Sequence, residues 1–452
     1  MTRIRIRVLV TVLVLLLAHS VFAGGRPEGP TATPTAATEE FSWRRFEGDR
    51  IHFLANNNPI GQLLQRYAPE FTALTGINVE VSLYAEQQYR QRLETTFQAR
   101  SDEVDVFMSL VSREGSLYDQ AGWYADLKPF VDNPAVTSPD YDFADFGQGV
   151  IDAGTLRDRL TGIPVNIEGP VLYYRADVLE ACGIPVPGTL AELRQAAERV
   201  KTCRPDMIPF ASRGLAPAVP YTFSNFLHNM GGQYVDAQGR SSLSSDASVR
   251  AIELYAELLR DFGPPGVINY SFPQLTAVNS NGQAVMTFQS SNEFGKIMEV
   301  AERANDTRIK VLPAGPAGSV PVVIGWQLSM SPNSRKQEQA WYFLQWATSR
   351  AMQVKLGLDG LAPPRTSVWE SQEFTAWLDE VAVRREWAEA LSILSETGSS
   401  VLAPQIILQP ESRQIIGEAV GSVILGEATA RQAAARADQL INDLIQRSER
   451  LQ

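Results

Sequence analysis

An amide and an acidic side chain stand two residues apart in a short polar stretch in the first half of the chain. Asn166 and Glu168 lie between the apolar segment Ile163–Val165 and the turn formed by Gly169 and Pro170. A carboxylate and a carboxamide can each bond two neighbouring hydroxyl groups. The pair therefore suits a hydroxyl-rich solute, and a solvated acid in a turn is the alternative role of Glu168.

Other polar and aromatic side chains could contact the same kind of solute. Amides, hydroxyls and guanidinium groups bond hydroxyl groups, and aromatic rings cover the apolar face of a sugar. Turn formation, helix capping and core packing are the alternative roles of these residue types. The candidate ligand-binding residues are Asn57, Asn58, Tyr84, Gln87, Ser109, Asn166, Glu168, Tyr221, Phe288, Gln289, Trp326 and Arg365.

The chain shows no motif of a catalytic centre or a cofactor site. Beyond the N-terminal segment its histidines are His52 and His228, whose separation disfavours a histidine-based metal site. The G-x-S-x-G, S-x-x-K and P-loop patterns do not occur. We therefore expect no metal, no cofactor and no enzymatic activity. Pairs among the 51 acidic residues leave a carbohydrate-acting hydrolase as an alternative.

The N-terminus has the composition of an export signal. Arg3, Arg5 and Arg7 precede the apolar run Val8–Ala18, and small residues suit cleavage near Ala23. We expect residues 1–23 to be a signal peptide and residues 24–48 a flexible linker, because the latter are rich in Gly, Pro, Thr and Ala. The mature protein would be periplasmic, and a retained membrane anchor is the alternative.

Two cysteines in an exported chain raise the question of a disulfide bond. Cys182 follows a helix predicted to begin at Asp177, and Cys203 ends the predicted helix 190–202. We expect these cysteines to be bonded, with two separate buried thiols as the alternative. Because no cysteine precedes Cys182, we expect no lipid anchor.

Alternating strands and helices must position these side chains. Predicted strands at 50–55, 77–83 and 104–109 are separated by predicted helices at 60–74 and 88–99. This order indicates a parallel α/β sheet with crossover helices, in which ligands bind beyond the carboxyl ends of the strands. A chain of 452 residues should form two or more domains.

The charge of the chain limits its partners. The formal net charge is −11. A field of this sign disfavours nucleic acid and anionic membrane surfaces. We therefore expect no nucleic-acid partner.

Several segments resemble, in the same order, those of the extracellular solute-binding proteins of carbohydrate ABC importers, the maltose-binding-protein-like family. The resemblance is nearest to the sorbitol/mannitol branch in the segments Ala55–Pro59 and Glu86–Arg90. Gln289 and Asn292 depart from the family pattern, which has an aspartate and a tryptophan there. The other similar segments are Phe71–Glu80, Val104–Ser109, Thr161–Glu180, Gly231–Gly239, Gly282–Phe288, Gly325–Leu344 and Leu361–Arg365.

This resemblance implies an α/β fold of two lobes, the periplasmic-binding-protein or Venus-flytrap fold, with three crossings between the lobes. The crossings are expected near Ile163–Val165, Val311–Ala314 and Thr348–Met352. The expected N-terminal lobe comprises residues 49–163 and 312–348, and the expected C-terminal lobe comprises residues 164–311 and 349–452.

The same resemblance implies the substrate-binding component of an ABC importer. It would bind a sugar or sugar alcohol between the lobes and deliver it, as a monomer, to the permease subunits in the membrane. Same-fold receptors for a charged solute, such as a polyamine or ferric ion, are a further alternative.

Overall fold

The computed structural model describes residues 40–299 and 306–451, and their strands form two main sheets. In chain order the strands are β1 (Arg50–Asn56), β2 (Asn78–Tyr84), β3 (Val106–Ser109), β4 (Thr155–Leu156), β5 (Arg159–Leu160), β6 (Ile163–Pro164), β7 (Pro170–Arg175), β8 (Ile208–Ala211), β9 (Ala284–Ser290), β10 (Thr307–Lys310) and β11 (Gln327–Met330). The first sheet has the order β2-β1-β3-β11-β6 and the second β10-β7-β9-β8, while β4 pairs with β5. Strand β1 is parallel to both β2 and β3, as the sequence predicted.

Helices connect most of the strands. Within the described residues the α-helices are Pro59–Thr75, Glu86–Gln98, Ser116–Gln120, Lys128–Val131, Gln148–Ala153, Ala176–Ala181, Leu190–Cys203, Val219–Asn229, Asp246–Phe262, Phe272–Ser280, Phe294–Met298, Gln337–Ala347, Arg350–Leu358, Thr366–Trp369, Gln372–Glu380, Ala382–Thr397, Gln409–Ile424 and Ala430–Glu449.

The helix Pro59–Thr75 illustrates how local sequence sets these bounds. Asn58 caps its start, because the side-chain Oδ1 accepts a hydrogen bond of 3.0 Å from the backbone N–H of Gly61. Proline at the first helical position has no N–H that would need a partner there. Gly76 ends the helix with φ 76°, a left-handed conformation that suits glycine.

The first lobe is built on the first sheet. The ring centroid of Phe343 on the helix Gln337–Ala347 lies 5.1 Å from that of Phe53 on β1 and 5.3 Å from that of Phe71 on the helix Pro59–Thr75. Trp341 of the same helix is fully buried. These aromatic residues belong to the core, as the sequence predicted.

The second lobe has apolar clusters on its sheet that are separate from the first core. One cluster contains Phe226, Tyr255 and Phe288 and extends to the C-terminal helices. Another surrounds Trp387, whose ring stacks on that of Phe294 at 5.1 Å. The molecule is therefore the two-lobed α/β fold that the resemblance implied.

Three chain segments lie side by side where the chain crosses between the lobes. Glu168 and Ile324 exchange backbone hydrogen bonds of 2.8 and 2.7 Å, and the N–H of Ile167 donates to the carbonyl of Ala362 at 3.0 Å. The first crossing directly follows Ile163–Val165. Because each segment bonds a neighbour, the crossings form a small three-stranded hinge region.

The second and third crossings lie further along the chain than the expected positions, which are near Val311–Ala314 and Thr348–Met352. Residues 314–320 still contact the second lobe, where the N–H of Val320 donates to Asn229 Oδ1 at 2.7 Å. Met352 and Leu356 are buried in the first core, which delays the third crossing. The lobe boundaries drawn from the sequence stay a prediction.

Residues 40–48 do not have the flexible character that was expected of them. Their composition predicts a flexible linker, but the ring centroids of Phe41, Trp43 and Phe46 all lie within 5.1–5.6 Å of that of Tyr342. Aromatic burial of this kind stabilises a fixed conformation. The predicted signal peptide and residues 24–39 lie outside the described residues.

A disulfide bond joins Cys182 to Cys203. It links the end of the helix Ala176–Ala181 to the end of the helix Leu190–Cys203. A bond of this kind restricts the unfolded chain and so favours the folded state.

None of the helices in residues 40–299 and 306–451 has the length and apolar character needed to cross a membrane.

Candidate functional site

A cavity of about 40 Å³ lies between the two lobes. Both lobes contribute to its wall, which contains acidic, basic, amide and aromatic side chains. The lining residues are Asn56, Asn58, Pro59, Glu86, Leu110, Arg113, Glu168, Arg213, Tyr221, Phe272, Ser290, Asn292, Glu293, Ile324, Trp326 and Arg413.

Strand ends bring several of these residues together. Asn56 ends β1 and Leu110 directly follows β3, so both lie at the carboxyl edge of the parallel part of the first sheet. Ser290 ends β9, and Arg213 lies two residues beyond the end of its parallel neighbour β8. The cavity therefore has the position at which open α/β sheets bind ligands.

Glu168 is the acid that the hinge region contributes to the cavity wall. Its Oε1 accepts a hydrogen bond of 3.0 Å from the indole N–H of Trp326, and its Oε2 accepts one of 2.6 Å from the hydroxyl of Ser290. Only 5% of the residue is exposed, and this burial raises the pKa of its carboxyl group. Each oxygen retains a lone pair that could accept a further hydrogen bond.

Asn166 lies behind this acid and holds the surrounding backbone. Its Oδ1 accepts from the backbone N–H of Trp326 at 2.9 Å, and its amide donates to Asn292 Oδ1 at 3.0 Å. The residue is fully buried and does not line the cavity. Asn166 therefore positions the indole rather than presenting its own amide to a ligand.

A charge cluster of two arginines and two glutamates supports the first-lobe wall. Glu86 Oε1 accepts from Arg90 at 2.9 Å and from Arg113 at 2.8 Å, while Arg90 also bonds Glu114 at 3.4 Å. The two guanidinium groups lower the pKa of Glu86 to about 2 against the opposing effect of burial. Arg90 in turn lies over the ring of Trp326, 5.7 Å from its centroid.

Arg213 enters the cavity from the second lobe. Its guanidinium carbon lies 4.0 Å from the centroid of the Tyr221 ring, a cation–π contact. In the described part of the chain no carboxylate comes within 4.0 Å of the Arg213 guanidinium, and its Nε is buried without a hydrogen-bond partner. The Tyr221 hydroxyl is likewise buried and unpartnered. Both groups are therefore available to a ligand.

Arg413 reaches the cavity from the helix Gln409–Ile424. It is 2% exposed, and its Nη2 donates to the carbonyl of Pro217 at 3.3 Å. Burial and the positive charge of Arg113 lower its pKa to about 9. Its Nε and Nη1 have no partner among the described residues.

Glu293 is the second acid of the second-lobe wall. Its Oε2 accepts from the hydroxyl of Thr276 at 2.8 Å. Burial, with 3% of the residue exposed, raises its pKa to about 7. The group can therefore change its protonation state near neutral pH.

The structure brings four of the predicted residues to the cavity, Asn58, Glu168, Tyr221 and Trp326. It does not bring the others there. Asn57 is exposed, and its Oδ1 accepts from the side chain of Gln62 at 2.7 Å. The partly buried Tyr84 packs against the first core, and Gln87 lies on the helix Glu86–Gln98 outside the cavity wall.

Buried structural roles explain the remaining predicted residues. Ser109 bonds the hydroxyl of Tyr124 at 2.5 Å, and Phe288 packs within the second-lobe core. Gln289 donates to the carbonyl of Phe272 at 2.9 Å. The fully buried Arg365 bonds the carbonyls of Tyr141, Asp142 and Thr348. These side chains already have partners, which corrects their assignment to the ligand site.

Sequence reasoning missed much of the cavity wall. Asn56 ends a predicted strand, so the rule about carboxyl ends could have included it, and its buried Oδ1 has no partner in the described residues. Arg213 could have been found in the same way from the end of β8. Arg113 and Arg413 carry no such signal, because only tertiary packing brings them to the cavity.

Within the described residues no group of three or more His, Cys, Asp or Glu side chains has an arrangement that could hold a metal ion.

Comparison with known proteins defines the class of this fold and site. Residues 55–354 match the family model of bacterial extracellular solute-binding proteins. The match spans more than half of the chain, and the protein belongs to this family.

Its relatives include proteins named for the polyols they bind. The chain is 28% identical over 368 residues to the erythritol/L-threitol-binding protein of Mycolicibacterium smegmatis, covering 77% of each chain. It is 25% identical over 378 residues to the mannitol-binding protein of Pseudomonas aeruginosa, covering 78% of this chain and 83% of the relative. A solute-binding protein of Agrobacterium radiobacter, solved in complex with ribitol, shares the fold with a TM-score of 0.79 and 24% identity, covering 88% of this chain and 99% of that one.

Proposed function

We propose that this protein is the substrate-binding component of an ABC importer and binds a sugar or sugar alcohol in the cavity between its lobes. The observation that carries the proposal is the cavity wall, which combines paired acids with arginine, amide and aromatic groups at the hinge. Hydroxyl groups both donate and accept hydrogen bonds, so they can satisfy acids and guanidinium groups together. The polyols named for the relatives support the same class of ligand.

Closure of the two lobes would transmit the presence of the ligand. Because both lobes line the cavity, a ligand that contacts both favours the closed state over the open one. The closed monomer would then meet the permease subunits at the membrane. Export under the predicted signal peptide would place the protein in the periplasm, where the permease receives its substrate.

A thermal-shift screen over monosaccharides, disaccharides, oligosaccharides and sugar alcohols tests the proposal, since a bound ligand raises the melting temperature by mass action. We expect at least one sugar or sugar alcohol to give a dose-dependent increase. Product formation from these compounds by catalytic amounts of protein would instead support a hydrolase. No shift with any of them would contradict the proposal.

The substitution Glu168→Gln is expected to weaken ligand binding by about 1–3 kcal/mol, the usual value for a charged hydrogen-bond partner. Glutamine keeps the shape and can still accept from Trp326, so the wall should persist. Calorimetry with the ligand found in the screen measures the change. The matched control is Glu198→Gln, whose side chain is 59% exposed and far from the cavity wall. Equal affinities of the Glu168 variant and the wild type would remove this acid from the site.

A pair of neighbouring asparagines gives a sharper test of the cavity's position. Asn56→Ala removes an unpartnered buried amide oxygen and should weaken binding by about 0.5–1.5 kcal/mol, the loss of one hydrogen bond. Asn57→Ala alters an exposed side chain and should leave the affinity unchanged. Calorimetry that gave the opposite order would show that the ligand lies at the outer side of this turn.

A further inference from the structure

The cavity wall contains three buried guanidinium groups that have N–H groups without a hydrogen-bond partner. Arg113, Arg213 and Arg413 are each at least nine-tenths buried and all line the cavity. In the described residues the Nε atoms of all three, and Nη1 of Arg413, have no hydrogen-bond partner. Buried charged donors without acceptors are unfavourable, so the site is incomplete without a group that accepts from them.

The local acids do not supply those acceptors. Arg113 shares Glu86 with Arg90, and Arg90 also pairs with Glu114, so the cluster on the first lobe is balanced. Among the described residues, neither Arg213 nor Arg413 has a carboxylate within the 4.0 Å of an ion pair. The acids of the second-lobe side accept from neutral groups instead, Glu168 from Ser290 and Trp326 and Glu293 from Thr276.

The protonation of these groups supports an excess of positive charge. Burial raises the pKa of Glu293 to about 7, which reduces the negative charge that it contributes at neutral pH. The lowered pKa of Arg413 results from burial and from its proximity to Arg113. A bound anion would relieve that repulsion, whereas a neutral solute would not.

We propose that the ligand carries a carboxylate, and that Arg213 and Arg413 bind it in the cavity between the lobes. The ligand class is then a short-chain sugar acid, an aldonate, whose hydroxyl groups meet Glu168 and the amides of the wall. This inference rests on the proposed role of the protein as the substrate-binding component of an importer, and it makes the acid of a sugar alcohol, rather than the neutral compound, the preferred solute.

Carboxylate chemistry fits the geometry better than a further hydroxyl group does. A carboxylate only accepts hydrogen bonds, offers about four lone pairs and can bond a guanidinium group in bidentate fashion. Arginine is the residue that commonly provides such recognition.

Calorimetry with matched pairs of ligands tests the inference. Erythritol is compared with erythronate, ribitol with ribonate, and sorbitol with gluconate, all at pH 7 and low salt. We expect at least one aldonate to bind at least tenfold more tightly than its alditol. If an alditol binds and no aldonate binds more tightly than its partner, the inference is overturned while the proposed function stands. If alditols, sugars and aldonates all fail to bind, both are overturned.

Arginine variants identify the groups responsible. Arg213→Met and Arg413→Met should each reduce the ratio of aldonate to alditol affinity by at least tenfold. Arg413→Lys should restore part of this ratio, because it retains the charge. The control Arg335→Met alters an arginine whose side chain is 85% exposed and should leave the ratio unchanged. An unchanged ratio in both methionine variants would overturn the assignment of these arginines, even if an aldonate binds. Urea unfolding of each variant verifies that the protein is folded.

Discussion

The substitution Arg365→Met is expected to lower the free energy of unfolding by about 3–5 kcal/mol, the usual cost of removing one partner from a buried ion pair. Arg365 is fully buried and bonds Asp145 Oδ2 at 3.2 Å. Its guanidinium group also lies 4.0 Å from the ring centroid of Phe146. Methionine would fill much of the volume but leave the carboxylate without its cation.

Hydrogen bonds from Arg365 to the backbone increase the expected loss of unfolding free energy. The same guanidinium group donates to three main-chain carbonyls at 2.6–2.8 Å, those of Tyr141, Asp142 and Thr348. It thereby ties a first-lobe loop to the chain around the third crossing. Losing these donors leaves buried carbonyls unsatisfied.

Urea unfolding measures the loss, and calorimetry with the ligand shows whether the remaining folded protein still binds. We expect normal affinity, since Arg365 does not line the cavity. Arg335→Met is the control, because exposed ion pairs contribute about 0–1 kcal/mol. A stable variant with reduced affinity would return Arg365 to the ligand site.

The second large effect concerns Glu293 and pH. Its pKa rises from 4.5 to about 7 on burial, so the folded protein holds the proton more tightly than the unfolded chain does. The stability that this proton provides is complete below about pH 4.5 and is lost as the pH rises through about 7. The shift corresponds to about 3 kcal/mol, at 1.36 kcal/mol for each pKa unit.

Glu293→Gln removes this titration and keeps the hydrogen bond with Thr276. Relative to the wild type, the variant should therefore gain about 3 kcal/mol of unfolding free energy between pH 4.5 and pH 8. Urea unfolding of both proteins across this range provides the comparison. A difference between the two proteins that does not change with pH would show that Glu293 titrates normally.

The sequence predicted the class of fold because it is encoded in patterns that span many residues. Alternating strands and helices fixed the parallel part of the first sheet, and the ordered resemblance implied the two lobes. The positions of the later crossings depend on contacts such as that of Val320 with Asn229. No short motif reports a contact between residues so far apart in the chain.

The candidate site also contains both residues that stand in recognisable segments and residues that only tertiary packing places. Glu168 and Trp326, which line the cavity, could be proposed from the sequence because they stand in recognisable segments beside the hinge. Sequence cannot distinguish a guanidinium group that contacts a ligand from one that bonds the backbone, as Arg365 does. Arg413 was missed because a C-terminal helix delivers it to the cavity, and the pattern of that helix indicates only packing.

The location of Trp326 should make its fluorescence sensitive to the contents of the cavity. Among the tryptophans of the described residues, Trp326 is the one that lines the cavity. Its indole N–H donates to Glu168, and Arg90 lies over its ring. Any solute that displaces water or shifts either charge changes the electric field at this chromophore. Intrinsic fluorescence can therefore follow occupancy in unlabelled protein, against the constant emission of tryptophans packed in the two cores.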